Sequence, residues 1–208
     1  MNASLGAIAQ FTESLNKLNL GHLLEPLLDY LQLLCKWNKA YNLTAIRDPD
    51  EMLFKHLLDS LAILPWFKAD YCLDVGTGAG FPGIPLALAT PASHWVLLDS
   101  NIKKVNFLRQ VKRQLGLNQV EIIHHRVEEY HADQRFDLIT SRAFASLEDM
   151  IKATSHLLGP NGQWLAMKGR VPEDELKAIQ QPFQVIQYSV DHVAGERCAV
   201  LIAPSNKE

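Results

Sequence analysis

Asp74 and the glycines at 76, 78, 80 and 83 carry the clearest chemistry in the chain, in the run Tyr71-Cys72-Leu73-Asp74-Val75-Gly76-Thr77-Gly78-Ala79-Gly80-Phe81-Pro82-Gly83-Ile84-Pro85. A short apolar stretch ends in an acid and then in closely spaced glycines, which reads as a strand, a tight loop and the start of a helix. Gly76, Gly78 and Gly80 can take positive φ and carry no Cβ, so the backbone can turn sharply and approach a ligand lying across the strand end. The spacing departs from the dinucleotide fingerprint: G-x-G-x-x-G needs a glycine where Phe81 stands. A carboxylate two residues before the first glycine would repel a pyrophosphate and suits a ligand carrying positive charge. S-adenosylmethionine, with a sulfonium, an ammonium and no phosphate, is such a ligand.

Ligands of open parallel sheets lie outside the carboxyl ends of the strands, so the residues just past each strand come next. The second strand ends at Asp99, 25 positions after Asp74, where a carboxylate can accept hydrogen bonds from both hydroxyls of a ribose. An NAD enzyme uses the same device, so this acid does not separate the two cofactors. Read structurally, Asp99 merely precedes Ser100, a good N-cap for the following helix. Arg126-Val127-Glu128-Glu129 follow the third strand, where a backbone amide and a carboxylate could read an adenine edge, although Glu128 equally suits the first turn of a helix. Ser141-Arg142-Ala143-Phe144 follow the fourth strand and Lys168-Gly169 the fifth. For Arg142 a structural ion pair is the alternative, and for Lys168 a solvated loop position. His124-His125 has no nearby acid or cysteine at metal spacing, so no metal site is expected.

The elements that must position these residues follow from periodicity. Strands are expected at 71–75, 94–98, 120–123, 136–140 and 163–167, separated by helical segments at 83–90, 101–115 and 147–158; strand and helix taking turns imply a mostly parallel sheet with helices on both faces. The apolar stretches 183–190 and 197–203 have no helix between them and should form an antiparallel hairpin at the sheet end. Pro82 and Pro85 do not forbid a helix after the glycine loop, because the first four amides of a helix have no internal acceptor. Upstream, apolar residues at 23, 24, 27, 28, 31, 34 and 35 trace one side of a helix with Pro26 in its first turn. A second helix starts at Asp48-Pro49-Asp50-Glu51, with Asp48 as N-cap and Glu51 placed to complete a capping box, and runs to about Ala62. Residues 1–60 thus read as a helical extension of a core at 61–208, together one domain; residues 1–20 give no distinctive signal.

Composition bounds the possibilities. The 208 residues, 48% apolar and 21% charged, suit a soluble globular protein. The formal charge of −3 excludes a generally cationic surface, so any nucleic-acid contact must come from local patches. Residues 101–113 offer one, with Lys103, Lys104, Arg109, Lys112 and Arg113 and no acid; the same run also reads as a solvated helix face. Cys35, Cys72 and Cys198 are widely separated and odd in number, which argues against disulfides and zinc. Neither a signal peptide nor a membrane span is evident, and a cytoplasmic location is expected.

With these motifs in view, the chain closely resembles the bacterial small-subunit rRNA guanine-N7 methyltransferases, the RsmG or GidB family. The resemblance runs over nearly the whole length. It is carried by Trp37-Asn38-Lys39-Ala40-Tyr41-Asn42-Leu43-Thr44, His56-Leu57-Leu58-Asp59-Ser60, the glycine run from Leu73 to Pro85, Arg126-Val127-Glu128-Glu129 and Ser141-Arg142-Ala143-Phe144-Ala145. It implies a Rossmann-like seven-stranded sheet, S-adenosylmethionine as cofactor with contacts at Gly76, Phe81, Val127, Glu128 and Arg142, and 16S rRNA of the small ribosomal subunit as partner, without a membrane or an obligate protein partner. Asp74 and Asp99 match acidic positions of the wider methyltransferase class. The chemistry agrees: no cysteine lies where a cytosine-C5 enzyme needs its nucleophile, and Ser-Arg-Ala-Phe stands where an exocyclic-amine enzyme carries Asn/Asp-Pro-Pro-aromatic. Guanine N7 has a free lone pair and no proton to remove, so no acid or base residue is expected. Strand-end placement puts Arg142 near methionine and guanine, and Lys168 near an RNA phosphate.

Overall fold

The computed structural model describes residues 3–142 and 144–204. Seven strands form one sheet: β1 (Tyr71–Val75), β2 (His94–Asp99), β3 (Val120–His124), β4 (Phe136–Ser141), β5 (Leu158–Lys168), β6 (Phe183–Tyr188) and β7 (Arg197–Ile202), in the order β3-β2-β1-β4-β5-β7-β6. The first five pair in parallel, and β7 lies antiparallel between β5 and β6. The expected hairpin is therefore present, with its second strand against β5. Strand order reverses between β1 and β4, which is where a crevice opens at the carboxyl ends of such a sheet.

Apolar side chains alternate along the strands, so both faces are buried. Cys72, Trp95 and Leu97 join one core and Leu73, Val75, Val96 and Leu98 the other. The first core takes in α5 (Gly83–Ala89), α6 (Ile102–Leu115) and the N-terminal helices; the second takes in α7 (Leu147–Thr154), with Leu176 of α8 (Glu173–Ala178) at its margin. The Rossmann-like architecture read from the sequence is what the chain forms.

The N-terminal part departs more from expectation. Residues 1–20, silent in the sequence, supply α1 (Leu5–Lys17), whose N-cap Ser4 accepts from Ala7 and donates to Asp50 at 2.7 Å. α2 (Leu24–Tyr41) outruns the apolar stripe that ends at Cys35 and stops only where Asn42 takes a left-handed conformation, φ 50°. Asp48 caps α3 (Pro49–Met52) as expected, but Glu51 pairs with Lys55 at 2.9 Å instead of closing a capping box. The helix then widens into a π turn over Leu53–Leu58 before α4 (Asp59–Ala62).

Three further corrections are local. The N-cap of α6 is Asn101, whose side chain accepts from Lys103, rather than Ser100. α7 ends at Thr154, four residues short of expectation, and β5 begins at Leu158 with a register shift opposite Phe136 and Leu138. Gly162 sits there because a Cβ would come within 2.6 Å of the Phe136 carbonyl. Among the described residues no helix is long and apolar enough to cross a membrane.

Candidate active site

The loop after β1 is held from beneath by Asp74. Its carboxylate is fully buried, and Oδ2 accepts from the Thr77 hydroxyl at 2.5 Å and the Gly83 amide at 2.8 Å; Oδ1 has no partner. Burial pushes its pKa up to about 7, against the two hydrogen bonds and the charge of Arg142. Asp74 thus ties the strand end to the first residue of α5, acting on the loop from inside rather than lining its open face.

The glycines divide into two pairs. Gly76 and Gly78 have φ near +64° and +63°, and a Cβ at Gly76 would meet nothing within 4 Å, so this side of the loop is an open cradle. Gly80, at φ +99°, turns inward: a Cβ there would strike Ile84 at 2.6 Å, the Tyr30 hydroxyl at 2.8 Å and Leu108 at 2.9 Å. Gly83 is hemmed in by Leu97 and Asp74. Tyr30 of α2 donates to the Ala79 carbonyl, so the extension grips the loop directly.

Asp99 closes the other wall. Its Oδ2 accepts from the Gly78 amide at 2.9 Å, its Oδ1 accepts from the Asn101 amide at 2.8 Å, and Lys104 lies 3.7 Å away. Each carboxylate oxygen has a second lone pair, so the group keeps acceptor capacity toward the cradle. Val127 is buried and Glu128 exposed in a single 3₁₀ turn after β3. A ring of donors and acceptors around an open glycine backbone, with no bulk at Gly76, fits a nucleoside-bearing ligand.

Across the switch point, Arg142 lies at the end of β4 with its guanidinium 5.0 Å from the Phe81 ring centre. Its Nη2 donates to His56 Nδ1 at 3.0 Å, its Nη1 donates to the Lys55 carbonyl at 3.3 Å, and Asp59 Oδ2 is 3.7 Å away. Nδ1 also lies 3.2 Å from the Lys55 carbonyl; a guanidinium has no acceptor, so in the Arg142 contact Nδ1 is bare and the imidazole proton sits on Nε2, which faces Thr44 Oγ1 at 2.7 Å. His56 also stacks on Phe81 at 4.5 Å. Burial and Arg142 drive its pKa down to about 3, so it stays neutral. Asp59 is shared: Tyr188 donates to it at 3.2 Å and Arg197 lies 3.5 Å away. The sequence picked out Arg142 and Phe81; it did not show that His56 and Asp59, one turn apart where the π turn meets α4, would converge on Arg142. Their presence in one motif, His56-Leu57-Leu58-Asp59-Ser60, was the available signal.

Lys168 is not a free loop cation. It pairs with Glu175 at 2.9 Å and is 16% exposed, while the same Glu175 oxygen accepts from the Leu147 amide at 2.7 Å. Its role is to tie β5 to α7 and α8. His124 Nε2 lies 3.0 Å from the Ser100 carbonyl, and among the described residues no three His, Cys, Asp or Glu side chains gather as metal ligands. Ala143 lies outside the described residues.

The sequence profile described as rRNA small subunit methyltransferase G, GidB, matches residues 23–199. The chain belongs to this family. It is 57% identical over 196 residues to the ribosomal RNA small subunit methyltransferase G of Legionella pneumophila strain Corby, covering 94% of each chain. It is 46% identical to the protein of that name from Escherichia fergusonii, covering 88% of this chain and 90% of that one. Among solved structures, a SAM-dependent methyltransferase from Aquifex aeolicus superposes with a TM-score of 0.56 over 74% of this chain and 93% of that one; at 19% identity this shows the shared fold. As a member of the methyltransferase G family the protein is a methyltransferase with S-adenosylmethionine as its cofactor.

Proposed function

We propose that the protein is a cytoplasmic enzyme that methylates N7 of a guanine in 16S rRNA of the small ribosomal subunit. The observation that carries the RNA substrate is the 57% identity over 94% of the chain with a protein named for methylating small-subunit ribosomal RNA. The N7 position is supported by the chemistry of the strand ends. His56, the imidazole at the site, has Nδ1 occupied by Arg142 and a pKa near 3, so it does not serve as a base at neutral pH. Guanine N7 needs none, because its lone pair is already free.

Bound S-adenosylmethionine supplies an electrophilic methyl group on a sulfonium. The residues of this chain bind and orient. Gly76 and Gly78 offer a backbone cradle, Asp99 accepts from ribose hydroxyls, and Val127 and Glu128 read the adenine edge. Asp74 and Gly80 keep the loop in shape from inside. Arg142, partly exposed and seated on the buried Phe81 ring, gives the switch point a cationic wall against which a planar base is held for in-line attack. Orientation of this kind is worth several kcal/mol of barrier, up to about 7–11 in well-aligned cases.

The test is incubation with methyl-labelled cofactor and small subunits lacking the modification, followed by strand cleavage specific for 7-methylguanine. Label at one guanine is expected. Label on another base, or none in RNA, overturns the proposal. Arg142→Ala should cut turnover at least tenfold; unchanged turnover and cofactor affinity would remove Arg142 from its assigned place.

A further inference from the structure

Trp37 and Tyr41 occupy successive turns at the end of α2, with ring centres 5.3 Å apart, and Trp37 rests on Phe107 of α6 at 5.7 Å. Tyr41 is 45% exposed, an unusual cost for a large aromatic side chain with core close at hand. Among the described residues the other exposed large aromatic, Phe183, opens edge strand β6 at the end of the sheet remote from the cofactor loop. Tyr41 is the last residue of α2, the helix whose Tyr30 holds the Ala79 carbonyl of that loop.

The segment around Tyr41 is locally cationic, between Asp29 and Asp48. From Tyr30 to Arg47 the chain holds Lys36, Lys39 and Arg47 and no acid, in a protein whose net charge is −3. All three are exposed, and among the described residues none is paired with a carboxylate. Arg47 is instead aimed by uncharged groups: it donates to the Asn38 carbonyl at 3.1 Å and to Asn42 Oδ1 at 2.6 Å. Lys103, exposed in the first turn of α6, lies one helical turn before Phe107 and so on the side where Trp37 packs.

This surface is coupled to the catalytic wall by an unbroken hydrogen-bonded chain. The Thr44 amide donates to Asn38 Oδ1 at 2.9 Å, His56 Nε2 meets Thr44 Oγ1 at 2.7 Å, and Arg142 donates to His56 Nδ1 at 3.0 Å. An aromatic ring that every base can stack on, ringed by unpaired cations, is the combination that holds single-stranded nucleic acid without reading its sequence.

We propose that Tyr41, backed by Trp37 and flanked by Lys36, Lys39, Arg47 and Lys103, is a docking platform for the unpaired RNA strand that flanks the target guanine. The inference rests on RNA being the substrate. A neighbouring base stacks on Tyr41 while its phosphates meet the cations. Because the end of α2 is bonded through Thr44 and His56 to Arg142, a strand seated there arrives at the methyl-transfer wall in register.

The test measures binding of a fluorescent oligouridylate of about 12 nucleotides, within the span of known single-strand sites, to the full-length protein at about 50 and 200 mM salt. Tyr41→Ala should weaken binding about tenfold and Tyr41→Trp should not, since stacking tolerates any large ring. Replacing Lys36 and Lys39 together by Ala should reduce the salt dependence by about 0.7 per lost phosphate contact. On small subunits Tyr41→Ala should raise KM and leave kcat near wild type, with the thermal shift produced by S-adenosylhomocysteine unchanged. Wild-type binding that is undiminished in Tyr41→Ala overturns the platform and leaves the methyl-transfer reading standing. Oligouridylate binding that depends on Tyr41 but brings no methylation of small subunits keeps the platform and overturns that reading.

Discussion

Asp74 and His56 are both buried ionisable groups beside the cofactor loop, and their shifts run in opposite directions with opposite consequences for pH. The pKa of Asp74 is raised to about 7. Its contribution to stability is therefore full below the ordinary carboxylate range and drains away as pH rises through 7. Asp74→Asn keeps an acceptor for Thr77 and Gly83 but puts a buried amide where Oδ1 has no partner, at about 1–3 kcal/mol. The variant should melt below wild type at pH 5, with the gap narrowing by pH 8; a gap that stays constant or widens would contradict the shift. For His56 the pKa is lowered to about 3, so its contribution is full above the ordinary imidazole value and is lost as pH falls from about 6.5 towards 3. His56→Gln should therefore lose less thermal stability than wild type between pH 7 and 4.5, while its turnover falls because Arg142 loses its acceptor. Asp74, Asp99 and Arg142 were legible in the sequence because each stands within one residue of a strand's end. His56 was not, since a lone histidine on a helix gives no hint of the arginine 86 residues away that it will meet.

The glycine loop shows what a motif leaves unsaid. Its spacing announced a backbone that must turn and approach a ligand, but Gly76, Gly78 and Gly80 read alike in the sequence. Tertiary contacts separate them. Gly80→Ala combines a left-handed φ with contacts below 3 Å to Ile84, Tyr30 and Leu108, and should cost about 2–4 kcal/mol in denaturant unfolding. Gly76→Ala meets open space and carries only the left-handed strain of about 1–2 kcal/mol, yet should abolish the thermal shift given by S-adenosylhomocysteine because the methyl group fills the cradle. If the two variants were equally unstable and bound cofactor equally, the division would be wrong. Strand positions were legible because short apolar runs taking turns with helical segments are the mark of strands buried on both faces. The π turn, the early start of β5 and the short α8 were not, because each depends on what packs beside it: the wider turn brings His56 and Asp59 onto Arg142, and β5 bulges around Phe136.

At the scale of the whole molecule, the N-terminal helices are part of the same core as the sheet. Phe11, Leu27, Tyr30, Leu34 and Leu57 share one buried cluster with Trp95, Leu97, Phe107 and Leu165. The polar seam follows the apolar one. Asp59 from the extension meets Arg142 from β4, Arg197 from β7 and Tyr188 from β6, so one carboxylate ties three strands to the helices. Its pKa is raised by burial even against the two arginines, and removing its charge leaves both cations without their shared anion. Asp59→Asn should accordingly cost about 3–5 kcal/mol, the usual penalty for breaking a buried charge cluster, and should still unfold in one step, because the extension has no core of its own and shares one with the sheet. We expect coincident transitions from tryptophan fluorescence, which reports Trp37 in the extension and Trp95 and Trp164 in the sheet, and from far-ultraviolet circular dichroism. Transitions that split in wild type or in the variant would show that residues 1–60 form an independent unit. A single transition is what the contacts of Tyr30 with the Ala79 carbonyl and of His56 with Arg142 predict: the glycine loop and the Arg142 side chain keep their places only while the extension is folded against them.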